Sequence, residues 1–317
     1  MMVTLSVMVF ALLLDALLGE PKRWHPLVGF GHAAHWLEQQ INRRPALPKR
    51  ALVGGLGCMG IVILPPLLLM QSLANQLDSD SMYARALLDI AIVYWAIGHQ
   101  SLRQHVVAVF DALKADQTSA ARKALSMIVS RDTDQLTTHQ ISAATIETTL
   151  ENGNDAVFGV LFWYLLGGIP MVMIYRLSNT LDAMWGYRTP RFEWFGKPAA
   201  LLDDVLNFVP ARLVAFSYAL LGNYRTAIGS WRTSASLLAS PNAGPVMTAG
   251  AGSLDLQLGG TAHYHNAPVM KPQFGGNKCP GPDDIPRALA LVSDTITLWL
   301  AVISLFMVGA ELAQRYL

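Results

Sequence analysis

Charged residues are scarce in this chain of 317 residues. Asp, Glu, Lys and Arg make up 14% of it, whereas an average soluble protein carries about 25%. Apolar residues make up 52% and the mean hydropathy is +0.34. This is too little charge to cover a soluble globule of this size, so the composition predicts a protein that faces lipid. The same numbers exclude a disordered chain, because disorder requires high charge and few apolar residues.

A basic excess, cysteine and the common catalytic motifs are also missing. The net charge of +1 excludes the broad positive surface of a nucleic-acid-binding protein. The two cysteines, Cys58 and Cys279, are too few for a disulfide framework or a zinc cluster. The chain has no P-loop and no Gly-x-Ser-x-Gly elbow. Any nucleotide must therefore be bound through a motif other than a P-loop.

Apolar runs close to the length of about 20 residues that crosses a bilayer occur along the whole chain. Proline or glycine interrupts three of them, at Pro65-Pro66, at Gly167-Gly168-Ile169-Pro170 and at Pro210. We therefore predict an all-α, polytopic integral membrane protein with four to six membrane-embedded helices, some broken or re-entrant, in a single domain over residues 1–317. The runs cover residues 1–19, 51–73, 86–98, 156–175, 205–221 and 288–310.

Positive charge predicts the orientation of these helices, because cytoplasmic loops are rich in Lys and Arg. Residues 20–50 carry six of these residues, whereas residues 71–85 carry one. Residues 20–50 are therefore predicted to be cytoplasmic, as are the polar regions 99–155 and 222–287. Within the first of those regions, residues 110–129 place apolar side chains on one side of a helix, which predicts a soluble amphipathic helix.

Three carboxylates, Glu147, Glu151 and Asp155, follow one another at steps of four, so a helix places them on one face. No Lys or Arg is interleaved, and the repulsion costs roughly a few tenths of a kcal/mol per pair on a surface. A bound cation would relieve it, and Mg²⁺ uses one or two carboxylates together with water and phosphate. The spacing fits a magnesium site and fits equally a solvated acidic face that ends a helix.

Two further polar clusters border the fourth and fifth apolar runs. Ionisable groups at membrane depth are costly unless they face a partner or a water-filled cavity, which favours a functional site. The alternative is a snorkelling arginine with acids that complement a helix dipole. The clusters are Asn179 with Asp182, and Asp203, Asp204, Asn207 and Arg212.

Glycine-rich segments follow in the last third of the chain. Glycine lets backbone N–H groups approach a phosphate closely, but small residues also allow close packing, and packing is the simpler interpretation. The candidate binding residues there are Pro241, Asn242, Gly244, Gly259, Gly260 and the neighbouring Tyr264.

In this order the motifs resemble the adenosylcobinamide-phosphate synthase family of membrane enzymes. The resemblance extends from about residue 12 to residue 290. The matching motifs are Leu14-Asp15-Ala-Leu-Leu-Gly19-Glu20-Pro21 with His25-Pro26, Ser130-Arg131-Asp132-Thr133, Glu147 with Glu151-Asn152 and Asp155, Asn179-Thr-Leu-Asp182 with Gly186-Tyr187, Asp203-Asp204 with Asn207 and Pro210-Ala-Arg212, and Ser240-Pro-Asn-Ala-Gly244 with Leu258-Gly-Gly260.

The resemblance implies cobalamin biosynthesis: an ATP-dependent ligase condenses adenosylcobyric acid, a corrinoid, with aminopropanol or aminopropanol O-phosphate. A carboxylate is a poor acyl donor and is most simply activated as an acyl phosphate made from ATP. That step needs Mg²⁺ on carboxylates and cations on phosphates. With ATP and Mg²⁺ as cofactors, we assign Glu147, Glu151 and Asp155 to the metal, and Arg131 and Arg212 to phosphates.

The remaining assignments follow the same chemistry. One carboxylate among Asp132, Asp134 and Asp182 would accept the ammonium proton as general base. Asp203 and Asp204 would bind further metal or orient the amine, beside the amides of Asn179 and Asn207. The substrate-binding set is Asn152, Pro241, Asn242, Gly244, Gly259, Gly260 and Tyr264.

The resemblance also implies a multi-pass enzyme of the inner cell membrane, embedded in the lipid bilayer, whose active site faces the cytoplasm. It would pass its corrinoid to other membrane-associated cobalamin-assembly enzymes and bind no nucleic acid. One cytoplasmic site requires residues 156–175 to be re-entrant, or residues 156–175 and 205–221 to be core helices with little lipid contact. Two alternatives are a transporter, with Asp89, Asp294 and Arg212 along its path, and a non-catalytic membrane sensor.

Overall fold

The computed structural model describes residues 2–20, 25–264 and 267–316, with residues 2, 79–80, 261–264, 267–269 and 315–316 described by their backbone alone. Helices dominate this part of the chain, and one antiparallel hairpin accompanies them. The α-helices are α1 (Met2–Leu18), α2 (Pro26–Ile41), α3 (Pro48–Asp80), α4 (Met82–Ala96), α5 (His99–Lys114), α6 (Thr118–Ser126), α7 (Thr138–Gly153), α8 (Gly159–Trp185), α9 (Lys197–Leu221), α10 (Tyr224–Ser234), α11 (Ala243–Ser253) and α12 (Ile285–Tyr316). The strands are β1 (Gln257–Tyr264) and β2 (Ala267–Gly275).

Three helical segments are long and apolar enough to cross a membrane: Pro48–Asp78, Thr138–Trp185 and Pro282–Gln314. The apolar helix Val3–Leu18 is shorter. The six predicted runs fall in α1, α3, α4, α8, α9 and α12. The prediction of an all-α polytopic membrane protein is therefore confirmed, with the small hairpin as an element that the sequence analysis did not foresee.

Helix α8 is broken where the Gly-Gly-Ile-Pro sequence predicts a break. Gly168 has φ 60° and ψ −153°, values that lie outside the helical region and that glycine adopts far more readily than other residues. Pro170 follows inside the second half of the helix. By contrast, α3 continues through Pro65-Pro66 and extends beyond the predicted end at residue 73.

The first compact unit comprises Met1–Gly98 and Gly159–Asn207. Its core forms where α3 packs against α8, with α2 and α4 alongside. A Cβ on Gly55 would collide with the carbonyl oxygen of Phe195, so this glycine permits the close approach of the two segments. The buried core residues include Cys58, Val62, Ile63, Ile169, Leu177, Leu181, Trp185 and Phe195.

The second compact unit comprises His99–Phe158 and Phe208–Leu317. Helix α7 lies at its centre, buried at every position from 141 to 150, and packs against α5, α6, α11 and α12. Helix α11 is also buried along its whole length. A Cβ on its Gly250 would lie 2.8 Å from the Leu150 side chain, so this glycine serves the close packing of helices.

Two features of this unit differ from the sequence predictions. Residues 110–129 do not form one helix: α5 ends at Lys114, α6 begins at Thr118, and Asp116 between them has a left-handed φ of 57°. Each short helix still buries its own apolar face. Helix α7, within a region predicted to be polar, is buried because its neighbours surround it. That residues 1–317 form one domain stays a prediction.

Candidate active site

Glu147 is the centre of a charged cluster in the second unit. Its side chain, on the buried helix α7, is 5% exposed. The Arg131 guanidinium donates from Nη2 to Oε2 of Glu147 at 2.7 Å, and Nζ of Lys271 on β2 lies 3.8 Å from the same oxygen. The other oxygen accepts the backbone N–H of Gly259 at 3.0 Å. Two cations and one amide thus compensate a carboxylate whose burial alone would be costly.

Gly259 reaches Glu147 because β1 bulges at this point. The pairing register shifts between Leu258 and Gly260, and Gly259 has a φ of 88°. A Cβ there would also collide with the carbonyl oxygen of Pro272 on β2. A bulge of this kind redirects backbone groups out of the ladder. The N–H that the sequence analysis assigned to phosphate is thus bonded to a carboxylate, while phosphate binding by Gly260 stays a prediction.

Glu151 lies one turn beyond Glu147 and is half-buried. It interacts electrostatically with Lys271, Glu147 and Arg131, so it belongs to the same cluster. Asn152 beside it donates from Nδ2 to the hydroxyl oxygen of Thr148 at 2.9 Å.

Asp155, the third carboxylate of the predicted face, lies in a π-helical turn over Asn154–Phe158. Its Oδ1 accepts a hydrogen bond from Asn154 at 2.8 Å. A π-helical turn widens the helix by one residue, and such turns occur frequently at functional sites. The wider turn therefore moves Asp155 away from the position directly above Glu151 that a regular α-helix would give it.

The three carboxylates have no Lys or Arg interleaved in the sequence, but the fold brings two cations to Glu147. Lys271 is distant in sequence from α7, and Arg131 lies in the loop that precedes this helix; both approach Glu147 in the folded chain. Across the described residues, no three His, Cys, Asp or Glu side chains are grouped closely enough to hold a metal ion. Metal binding by Glu147, Glu151 and Asp155 stays a prediction, and substrate oxygens would have to complete the coordination.

The loop that carries Arg131 also carries the candidate bases Asp132 and Asp134, which are both exposed. The loop ends at Thr137, which caps α7: its hydroxyl accepts the N–H of Gln140 at 3.3 Å, and the Gln140 side chain accepts the N–H of Thr137 at 2.9 Å. This capping box fixes the start of α7 and thereby the position of the loop.

Arg212, in the second unit, contacts the predicted Ser240–Gly244 segment. It lies on α9 and donates to the side-chain oxygen of Asn242 at 3.1 Å and to the carbonyl oxygen of Pro241 at 3.2 Å. Its guanidinium lies 3.5 Å from the ring centroid of Phe208. Asn242 directly precedes α11, and Gly244 lies in its first turn, where a Cβ would lie 2.5 Å from the carbonyl oxygen of Ala235. The structure thus brings Arg212 to the Ser240–Gly244 segment, as a shared site requires. Phosphate binding by these residues stays a prediction. Tyr264, which was predicted to bind substrate with them, has its side chain outside the described residues.

Asp203 is the centre of a polar network in the first unit. Its side chain on α9 is buried, and its oxygens accept hydrogen bonds from Asn179 at 3.3 Å and from Asn207 at 3.1 Å. The Tyr175 hydroxyl donates to Asn207 at 2.9 Å. Burial raises the pKa of Asp203 to about 6; the two amide hydrogen bonds lower it and the neighbouring charge of Asp204 raises it. Residues from two predicted motifs, Asn179 from one and Asp203 with Asn207 from the other, therefore meet in one network.

The network extends towards the N-terminal motif. Arg176 donates to the Asn179 side-chain oxygen at 3.4 Å and interacts electrostatically with His25. His25 lies 3.5 Å from the Glu20 carboxylate and stacks on Trp95. Burial lowers the pKa of His25, Glu20 raises it and Arg176 lowers it, so this imidazole is neutral at pH 7.

Asp182 is half-buried one turn beyond Asn179, near the end of α8. Its backbone oxygen accepts the N–H of Gly186 at 2.7 Å, and a Cβ on Gly186 would collide with the Asp182 carboxylate. The glycine of this motif therefore leaves room for the acid.

Sequence reasoning missed Lys271, Tyr175 and Arg176. Lys271 lies in a hairpin that the predictions did not contain, and no local pattern separates it from a surface lysine. Tyr175 and Arg176 do directly precede the Asn179 cluster on the same helix. Tyr175 precedes Asn179 by four residues and Arg176 precedes it by three. A helix places side chains at these spacings on one face, and this pattern could have added both residues to the cluster.

Asp89 and Asp294 suggested a transporter in the sequence, but in the structure Asp89 is paired and Asp294 is exposed. Asp89 on α4 accepts hydrogen bonds from Tyr164 and from Nε of Arg85, both at 2.7 Å. Asp294 is exposed on α12. A satisfied buried acid of this kind is a structural element, because its charge is already paired.

The fold and these buried charged groups define a helical, polytopic membrane protein with an enzyme-like polar interior. The chain matches the family described as CobD/Cbib protein over residues 8–292 and belongs to that family. It is 48% identical to the cobalamin biosynthesis protein CobD of Stutzerimonas stutzeri, over 96% of this chain and 97% of the relative. The identity to the protein of the same name from Chromobacterium violaceum is 45%, over 92% and 93%. For that from Mycobacterium tuberculosis it is 36%, over 93% of each chain.

No solved structure matches the chain. The family resemblance stated from the motifs is confirmed, and the protein is a biosynthetic enzyme of the cobalamin pathway.

Proposed function

We propose that the protein is an ATP- and Mg²⁺-dependent ligase that joins adenosylcobyric acid to aminopropanol or aminopropanol O-phosphate through an amide bond. The observation that carries this proposal is the cluster of Arg131, Glu147, Glu151 and Lys271 in the second unit. It combines carboxylates with cations around a buried position, which is the composition that binds a magnesium-bound polyphosphate.

The donor set fits Mg-ATP. Mg²⁺ takes one or two carboxylates and completes its octahedron with water and phosphate oxygens, so Glu151 and Asp155 suffice on the protein side. Arg131 and Lys271 offer positive charge for phosphate oxygens. Bound Mg-ATP would supply the phosphoryl group that makes the substrate carboxylate a better acyl donor.

Glu147 has a positioning role in this proposal. It holds Arg131 through one oxygen and the Gly259 N–H through the other. The two cations are thus fixed before a phosphate arrives, and preorganised charge is worth more than charge that must move during the reaction. Arg212 with the Asn242 segment is the second candidate position for a phosphate.

The amine must lose a proton before it forms an amide. A base works best when its pKa lies near the working pH, and Asp203, with a pKa near 6, fits this better than an exposed acid. We therefore add Asp203 to Asp132, Asp134 and Asp182 as a candidate base, with Asn179 and Asn207 orienting its two oxygens.

The proposed location is the inner cell membrane, with the active site towards the cytoplasm, where ATP is present. Corrinoid delivery to other membrane-associated cobalamin-assembly enzymes belongs to the same proposal.

The decisive test uses the full-length protein in detergent or in proteoliposomes. It is incubated with adenosylcobyric acid, Mg²⁺, ATP and either aminopropanol O-phosphate or aminopropanol, and corrinoids are identified by mass spectrometry. We expect an amide product only when ATP and an amine are both present, together with release of ADP and, as the amine displaces it from the acyl phosphate, of inorganic phosphate. Recovery of unchanged adenosylcobyric acid with both amines would overturn the proposal. Transport without chemistry would favour the transporter, and full tolerance of changes at Glu147 and Glu151 would favour the sensor.

A further inference from the structure

A groove of about 320 Å³ lies in the second unit between helix α10 and the base of the hairpin. One wall is a single face of α10 with Thr226, Ser230 and Thr233, spaced by four and three residues. The opposite wall carries Gln257 of β1 and Gln273 of β2. Among the lining residues, all within the described part of the chain, none is charged. The groove therefore offers neutral hydroxyl and carboxamide groups.

Two hydrogen bonds fix the walls of the groove and leave its polar groups accessible to a ligand. The Ser230 hydroxyl oxygen accepts the backbone N–H of Gly275 at 2.8 Å, which fastens the helix to the end of β2. Across the hairpin, Nε2 of Gln257 donates to Oε1 of Gln273 at 3.4 Å. This is a long, exposed hydrogen bond, so both amides keep donor and acceptor capacity for another ligand.

We propose that this groove binds the neutral carboxamide side chains of the corrinoid. The inference rests on the proposed function and extends it to a substrate subsite. The periphery of adenosylcobyric acid carries carboxamides beside the reacting carboxylate, and each carboxamide has two N–H donors and one acceptor. Hydroxyls and glutamine amides match such groups, whereas a nucleotide or an amino alcohol phosphate requires positive charge. The volume accommodates side chains and leaves the corrin ring outside.

The position of the groove relative to the Glu147 cluster supports this assignment. Gln257 begins β1, and Gly259, two residues later, donates its N–H to Glu147. Two residues of chain span at most about 7 Å. A corrinoid whose amides occupy the groove therefore places its periphery, where the reacting carboxylate also lies, beside the charged cluster.

The test measures corrinoid binding by quenching of tryptophan fluorescence in the purified full-length protein. Gln273→Leu removes one amide and Thr233→Val removes one hydroxyl without changing the shape of the side chain. We expect each to weaken binding of adenosylcobyric acid about tenfold, because a ligand amide loses its partner. A corrinoid whose carboxamides are replaced by methyl esters should bind the parent more weakly and respond less to both changes.

Thr297→Val is the matched control. Its hydroxyl donates to the carbonyl oxygen four residues earlier, as the hydroxyl of Thr233 does, and both threonines are exposed on helices. A melting curve in detergent confirms that each variant is folded, and Thr233→Val keeps the experiment conclusive if Gln273→Leu unfolds. Binding within twofold of the parent for both groove variants would overturn the subsite.

The two failures are distinguishable. If the parent binds the corrinoid and forms the amide while the groove variants bind normally, only the subsite is wrong. If the parent neither binds the corrinoid nor forms the amide, the proposed function fails and the subsite fails with it.

Discussion

Arg131 and Glu147 form an ion pair that is almost closed to solvent: their side chains are 12% and 5% exposed, and 2.7 Å separates Nη2 from Oε2. Another pair in the same unit, Lys114 with Asp283, is 53% and 83% exposed at 3.1 Å. The two pairs have similar distances and different surroundings. Desolvation therefore determines what each pair contributes, since water screens the second pair and not the first.

Replacing Glu147 by Gln leaves Arg131 buried without its counter-charge. We expect the free energy of unfolding to fall by about 3 kcal/mol and amide formation to be lost, because the cations are no longer fixed. Melting in detergent and product formation measure the two effects. The matched control, Asp283→Asn, should change stability by less than about 1 kcal/mol. Equal effects of both changes would show that Glu147 is not effectively desolvated.

Glu151→Gln tests the metal assignment separately from stability. Glu151 is half-buried and Gln keeps the size of the side chain, so we expect a folded, membrane-inserted protein. Amide formation should fall at least about 100-fold, as expected for the loss of a group that neutralises transition-state charge. Glu193→Gln, at an exposed acid, is the control and should retain full activity. Near-normal turnover of Glu151→Gln would remove this residue from the site.

Local spacing predicts those neighbours that lie on one helix. Asp203 and Asn207 were assigned to one cluster because residues four apart on a helical face remain close after folding, whereas the contact of Asn179 with Asp203 joins two helices and has no local signal. The broken helix at Gly168 was found for a similar reason, since Gly-Gly-Ile-Pro cannot form a regular helix.

The parts that sequence reasoning missed depend on contacts between distant segments. The three carboxylates of α7 looked uncompensated because Lys271 follows Glu147 by more than a hundred residues and lies on a hairpin. The hairpin itself has three glycines with positive φ and short alternating runs, which resemble a loop in sequence. Helix α7 looked polar because of its Thr, Ser and Glu residues, although the hydroxyls of Thr145 and Thr149 donate to backbone carbonyls one turn back and can therefore be buried.

Gly259 and Gly260 offer a matched pair for testing the bulge. Both have φ 88°, so alanine costs about 1–2 kcal/mol of backbone strain at either position. Only at Gly259 would the added Cβ collide with the carbonyl oxygen of Pro272; at Gly260 no atom of the described residues lies within 4 Å. We expect Gly259→Ala to lower the melting temperature further and to reduce activity, because its N–H no longer reaches Glu147. Equal melting temperatures would show that the collision is relieved without moving the hairpin.

The raised pKa of Asp203 predicts a pH dependence of stability. Its pKa moves from the ordinary 3.8 to about 6 in the folded protein, so the folded state binds the proton more tightly than the unfolded state. The contribution of this group is fully present below about pH 4 and is lost as the pH rises through 6, by about 3 kcal/mol at most. Asp203→Asn should remove this part of the pH profile of the melting temperature, whereas the exposed Asp283→Asn should keep it. If the Asp203→Asn variant has the same pH profile of the melting temperature as the parent, the pKa of Asp203 is not raised in the folded protein.

Cys279 reports which side of the membrane carries the hairpin. It is exposed, three residues after Gly276 at the end of the hairpin, whereas Cys58 is buried in the first unit. If the Glu147 cluster faces the cytoplasm, a membrane-impermeant maleimide should leave intact cells unlabelled and should react with Cys279 once the membrane is opened. The Cys279→Ser variant is the control: it should stay unlabelled in both cases, because the core shields Cys58, and should react only after denaturation. Labelling of the parent in intact cells would place the hairpin outside, where ATP is absent, and would overturn the cytoplasmic orientation of the site.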